Sequence, residues 1–175
     1  MALTFRSAGL YDVPALDSLV QSAYRGEASR EGWTTEADLL GGQRTDPEAL
    51  MLIIEGDDSR MVIADDDGVV VGCCQLERRE GGAAYLGMLA VWPSLQARGI
   101  GRAVVAEGER VARSEWAAER VQLSVIRQRT ELIAWYERLG YERSGETRPF
   151  PYGDERFGLP KVDGLEFVVL EKRLG

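Results

Sequence analysis

Leu16, Leu19, Val20 and Ala23 fall on one helical face, and Asp12-Val13-Pro14 ahead of them supplies the polar residue and early proline that start a helix. A short strand over Leu3–Arg6 precedes it. Between Tyr24 and Leu50 the apolar spacing loosens around Gly26, Gly32, Gly41 and Gly42, which predicts a surface excursion with two short helices, Thr35–Leu40 and Asp46–Leu50. Arg60–Ala64 and Val69–Arg78 have strand character, and the Asp65-Asp66-Asp67-Gly68 link between them favours a tight hairpin. Ala83–Val91 is apolar on both faces apart from Tyr85, as expected of a central strand covered on both sides; Gly87 within it marks a bulge or a close backbone approach.

A turn at Trp92-Pro93-Ser94 and a Gly99-Ile100-Gly101 passage lead into a long helix from Arg102 to about Glu119, with Val104, Gly108, Val111, Ala112 and Trp116 on its apolar face. Val121, Leu123 and Val125 alternate as a strand, and Thr130–Leu139 is a second amphipathic helix stopped by Gly140. Strands over Tyr141–Thr147 and Leu165–Arg173 close the chain around an ordered loop, Arg148–Gly164, rich in proline and glycine. This order predicts a mixed α/β layer fold.

At 175 residues the chain is expected to form one domain, 1–175. Its formal net charge of −8 argues against non-specific binding to nucleic acid or to anionic lipid, since a polyanion meets net repulsion. The absence of histidine removes Ser-His-Asp and Cys-His catalysis and His-ligated zinc, and no metal is expected. The two cysteines, Cys73 and Cys74, are sequence neighbours, ill placed to bridge each other, and are expected to pack on opposite faces of a sheet. Reduced thiols, no long apolar start and no span of about 18 apolar residues predict a cytoplasmic protein outside the membrane. A homodimer stays open.

The sharpest chemical feature is Gln96-Ala97-Arg98-Gly99-Ile100-Gly101, set between a buried strand and a long helix. Glycines there let backbone N–H groups turn inward, and the helix dipole adds roughly half a positive charge, so a pyrophosphate is a natural guest; a plain tight turn is the alternative. No Gly-Lys-Ser/Thr follows as in a P-loop, and Val104 stands where a dinucleotide fingerprint wants Gly or Ala.

Leu89-Ala90-Val91 with Pro93, then Gln96, Gly99 and Gly101, then Ala134-Trp135-Tyr136-Glu137-Arg138-Leu139-Gly140-Tyr141, closely resemble the signature blocks of the GNAT superfamily of N-acetyltransferases. The resemblance is strong from Ala83 to Arg143, fair over the hairpin and last strands, and faint before Arg60. It implies a mostly antiparallel twisted sheet of about seven strands, flanked by helices and splayed at its centre, and acetyl transfer from acetyl-CoA to an amine. It also implies that backbone amides of Gln96, Ala97, Arg98, Gly99, Ile100, Gly101 and Arg102 hold the pyrophosphate, with Arg98 or Arg102 adding charge. Leu89, Ala90 and Val91 would line the pantetheine arm, an N–H near Leu89 would polarise the thioester carbonyl, and Tyr136 would protonate the departing thiolate or serve only as a core aromatic. Relatives often carry Asn where this chain has Arg129; that arginine or Arg127 is a candidate for a phosphate.

An amine arrives protonated, so a base is needed. The strand that carries a carboxylate in many relatives has none here, and Glu77 is the first candidate, with Tyr85 and ordered water as alternatives. Trp33, Glu36, Asp38, Glu77 and Tyr152 are candidates for holding the acceptor, a small molecule or peptide end with a primary amine, its cation drawn by the acidic side chains. The rival expectation is a catalytically silent acyl-CoA-binding or interaction module on the same fold.

Overall fold

The computed structural model describes all 175 residues. Its centre is a seven-stranded sheet in the order β1-β3-β4-β5-β6-β9-β7, formed by β1 (Leu3–Ser7), β3 (Ser59–Asp66), β4 (Val69–Arg79), β5 (Ala83–Val91), β6 (Arg120–Ile126), β7 (Glu142–Pro149) and β9 (Glu166–Arg173). Every neighbouring pair is antiparallel except β5 and β6. The hairpin between β3 and β4 turns at Asp67 and Gly68, both with positive φ, as its Asp-Gly ending predicts.

Helices α1 (Val13–Tyr24) and α2 (Pro47–Glu55) cover one face, where Leu16, Leu19 and Leu50 are buried with Ile63 and Cys73. Helices α3 (Ile100–Trp116) and α4 (Thr130–Arg138) cover the other, where Val104, Ile133 and Tyr136 are buried with Leu76 and Cys74. Burying one such aliphatic side chain contributes about 1.5–3 kcal/mol. The adjacent cysteines thus face opposite sides as reduced, buried thiols.

Two features of the middle strands open the molecule for chemistry. In β5, Met88 and Leu89 together face Cys74 of β4, a bulge at which Met88 takes a φ of +46°. The irregularity therefore falls one residue beyond Gly87, which stays in register with Gln75. The parallel pairing of β5 with β6 covers only Ala83–Tyr85 against Arg120–Gln122, so the two strands part beyond Tyr85.

The excursion differs from its expected form. Thr35–Leu40 makes one turn, with Leu40 N–H donating to the Glu36 carbonyl at 2.8 Å, and then becomes β2 (Leu40–Gly41), paired with β8 (Leu159–Pro160). Tertiary pairing to the late loop overrides the local helical pattern, because Lys161 N–H also donates to the Leu39 carbonyl, at 2.8 Å. The second helix runs longer than expected, to Glu55, capped where the Asp46 carboxylate accepts from Ala49 N–H at 2.8 Å.

Candidate active site

The loop between β5 and α3 is a cradle of main-chain donors. Ala97 and Gly99 take φ of +63° and +84° and alternate with Arg98 and Ile100, a geometry that turns successive N–H groups to one side. The first four N–H groups of an α-helix, here Gly99 to Arg102, lack intrahelical partners, and the amides of Ala97 and Arg98 extend that set: none from Ala97 to Arg102 donates within the chain, whereas Gln96 and Ala103 do. The Ile100 side chain is buried under the loop in the α3 core, so it offers this cradle only its amide. Arg102 and Arg98 are exposed beside it, free of any ion pair, and Arg102 lines the cleft.

Gln96 serves the loop as a tether. Its Oε1 accepts from Trp33 N–H at 2.9 Å, and its Nε2 donates to Thr34 Oγ1 at 2.8 Å and to the Val91 carbonyl at 3.1 Å. Gly32 makes room for this side chain, since a Cβ there would collide with the Gln96 amide.

Two clefts lie on either side of a common wall. The first, about 590 Å³ and open to solvent, is bounded by Val91, the cradle, Trp33 and Trp135. The second, about 1460 Å³ with the open solvent at its mouth included, lies in the gap between β5 and β6, with Gln75, Glu77 and Tyr85 at one end and Phe150, Phe157 and Phe167 at the other. Tyr24, Leu89, Arg129, Leu132 and Tyr136 line both. The Tyr24 hydroxyl donates to the carbonyl of Leu89, the bulged residue, and fixes that wall. Tyr136 sits edge-on to Trp135 at 4.9 Å and to Tyr141 at 5.6 Å; its hydroxyl makes no hydrogen bond within the chain. Burial holds the Tyr136 phenol well above the ordinary tyrosine range, so it stays protonated at neutral pH.

Several expected acceptor residues are placed differently. Glu36 is buried rather than exposed: its carboxylate meets Arg25 on one side and Arg129, at 2.9 Å, on the other. Burial pushes its pKa up, but the guanidiniums of Arg129, Arg25 and Arg44 outweigh that and hold it below the ordinary carboxylate range. Asp38 is exposed, pairs with Arg30 at 2.8 Å and lines neither cleft. Trp33 lines the first cleft, its ring centroid 5.9 Å from that of Trp135. The Tyr152 hydroxyl donates to Val162 O at 3.0 Å and accepts from Leu165 N–H at 2.9 Å, so this residue braces the loop from outside both clefts while Phe150 lines the second. Only Glu77 of these acids combines a place in the second cleft with partial exposure, and it pairs with Arg79 at 3.0 Å.

Arg129 also donates to the Thr34 carbonyl, and its Cζ lies over the Tyr24 ring, 5.8 Å from the centroid, so it is committed to the shared wall. Arg127 lines neither cleft and pairs with Glu166 at 3.2 Å. The Ala90 side chain points to the α1 face, away from both clefts. Sequence reasoning missed Tyr24, Arg25 and Arg44. Tyr24 continues the apolar face of α1 and reads as core, and no local pattern marks either arginine.

A sequence model of the acetyltransferase (GNAT) family matches residues 16–141, and the chain belongs to that family. It is accordingly an N-acetyltransferase whose donor is acetyl-CoA. Among solved structures, the ribosomal-protein-S18-alanine N-acetyltransferase of Escherichia coli superposes with a TM-score of 0.74 at 18% identity, over 99% of this chain and 95% of that one. PaiA N-acetyltransferase of Thermoplasma acidophilum, solved in complex with coenzyme A, gives 0.71 at 19% identity over 99% and 100%. Ribosomal-protein-alanine N-acetyltransferase of Brucella melitensis gives 0.72 at 21% identity over 98% and 99%. At these identities the likeness is one of fold. No curated protein matches the chain by sequence.

Proposed function

We propose that the protein transfers the acetyl group of acetyl-CoA directly to the primary amine of a small molecule or peptide end, and that it does so in the cytoplasm. The observation that carries this reading is the meeting of two clefts at one wall, with a cradle of unpaired amides on one side and an aromatic, charged chamber on the other. The residues present suit the donor. The open amides of Ala97–Arg102 would bind the pyrophosphate at the α3 N-terminus, with Arg102 and Arg98 adding charge. Leu89 and Val91 border the cleft where the pantetheine arm would run, and the bulge frees Leu89 from the β4 ladder to offer its N–H to the carbonyl oxygen.

Acetyl-CoA supplies an acyl group activated as a thioester. The chain's own residues then orient the amine and handle two protons. Glu77, in the second cleft, takes one from the incoming ammonium, with Tyr85 or an ordered water as the alternative. Tyr136, neutral and free of other partners, delivers one from its hydroxyl to the sulfur. Two adjacent reduced cysteines support a reducing compartment, and no helix is long and apolar enough to cross a membrane.

Release of free thiol from acetyl-CoA across a panel of amines, amino acids, aminoglycosides and peptides tests the reading. Amine-dependent release is expected; CoA binding with no turnover on any amine would favour a silent binding module.

A further inference from the structure

The inner part of the second cleft carries more positive charge than it balances. Arg25, Arg44 and Arg129 surround a single carboxylate, Glu36, and three of these four side chains are nearly inaccessible. Arg25 and Arg129 both pair with Glu36, and Arg25 also donates to the Phe157 carbonyl at 3.3 Å while its Nε keeps no partner. Arg44 is different. It is half-buried with its Cζ over the Tyr24 ring, 5.4 Å from the centroid, and its guanidinium has neither an ion pair nor a hydrogen bond in the chain. A guanidinium with no partner of its own keeps all its N–H donors for a ligand, and a planar carboxylate can take two of them in parallel hydrogen bonds.

The other charged residues of the cleft do not offset it. Glu77 and Arg148 each hold a partner of their own, Arg79 and Glu146. Arg25 and Arg129 are buried on one shared carboxylate, and excess charge among buried groups is costly, so the ligand that enters should bring the missing anion. The donor has its own anion site at the cradle, and Arg44, unlike Arg129, lines the second cleft alone.

Resting on the acetyl-transfer reading above, we propose that the acceptor is an amine that also carries a carboxylate, gripped by Arg44, with an apolar body against Phe150, Phe157 and Phe167. One phenol ring separates the guanidinium from the wall at Leu89, so amine and carboxylate are close together in the acceptor, as in an amino acid. This replaces the expectation of an acidic mouth for a cationic acceptor: Glu36 is neutralised, and Asp38 lies outside the cleft.

The test compares matched sets, phenylalanine with phenylalaninamide and phenethylamine, and leucine with its amide and isopentylamine, by thiol release from acetyl-CoA. Wild type should favour the carboxylate member by about tenfold or more in kcat/KM, the usual worth of a charge-assisted contact. In Arg44→Gln that preference should collapse toward equality, and Arg44→Lys should restore part of it. A wild-type preference for the amide or amine overturns the proposal. So does a loss in Arg44→Gln that is equal across each set, which marks a merely structural arginine. If none of these amines is acetylated, calorimetry with N-acetylphenylalanine and its carboxamide at saturating CoA decides: about tenfold tighter binding of the acid, lost in Arg44→Gln, sustains the proposal, and equal or absent binding overturns it. CoA affinity measured on the same preparations separates the two claims. Failure to bind CoA sinks the acetyl-transfer reading; normal CoA binding without charge preference sinks this one alone.

Discussion

On the acetyl-transfer reading proposed above, the two clefts would recognise their ligands by different means. The donor side presents backbone: amides from Ala97 to Arg102, aimed by two positive-φ residues and delivered by one continuous strand, loop and helix. The acceptor side presents side chains: Arg25 and Arg44 from the excursion, Glu77 and Tyr85 from the sheet, Phe150 and Phe157 from the late loop, Phe167 from β9. Main-chain donors are the same whatever the side chains, so the donor cradle can stay constant while the acceptor chamber varies. Affinity for the donor should therefore depend on φ, and choice of acceptor on charge.

The largest effect should come from the wall the clefts share. Tyr136→Phe keeps the ring packed against Trp135 and Tyr141 and removes only the hydroxyl, and with it the proton. kcat should fall by about 10²–10⁴, the usual worth of a positioned acid, while KM for acetyl-CoA moves little because the lost interaction belongs to the transition state. A fully active Phe variant would assign the sulfur's proton to water and leave Tyr136 to the core.

A smaller effect should separate the donor side. Gly99→Val places a β-branched residue at a φ of +84°, where nothing lies within 4 Å of the new Cβ, so the penalty is backbone strain rather than collision. Relief of that strain rotates the amides of the cradle, and CoA should bind about tenfold or more weakly, the equivalent of about 1.4 kcal/mol. The ratio of rates on charged and neutral acceptors should stay as in wild type. Unchanged CoA affinity in the folded variant would remove the pyrophosphate from this loop.

The same contrast explains what the sequence made legible. The cradle, the central strand and the tyrosine helix lie in unbroken runs, so their elements and the turn at Gly99 could be read from local pattern, while Leu89 and Tyr136 are singled out by the resemblance to the family's signature blocks. The acceptor chamber is assembled by tertiary packing. Glu36 looked like an exposed acid on a helix because Thr35–Leu40 has helical spacing; pairing of Leu40 with Pro160 and capture of the carboxylate by Arg25 and Arg129 decided otherwise. Positions 25, 36, 44 and 129 converge only in three dimensions, and no one-dimensional pattern joins them.

The smallest effect concerns Tyr24, which ties the clefts together through its hydrogen bond to Leu89. Tyr24→Phe removes that bond and should cost about 1 kcal/mol of stability at pH 8. Burial pushes the Tyr24 phenol up to about 12, whereas in the unfolded chain it titrates near the ordinary value of about 10. Between those values the unfolded state holds fewer protons than the folded one, so wild-type stability falls as pH rises, by about 1.4 kcal/mol for this group at pH 11. Phe cannot lose a proton and does not share this decline. Every other titrating group is common to both proteins and cancels in the difference. The two should therefore differ by about 1 kcal/mol at pH 8 and become nearly equal near pH 11 when unfolded in denaturant at each pH. A gap that held constant over that range would mean that the Tyr24 hydroxyl titrates as freely in the folded protein as in the unfolded one, and that the wall between the clefts is not held from this side.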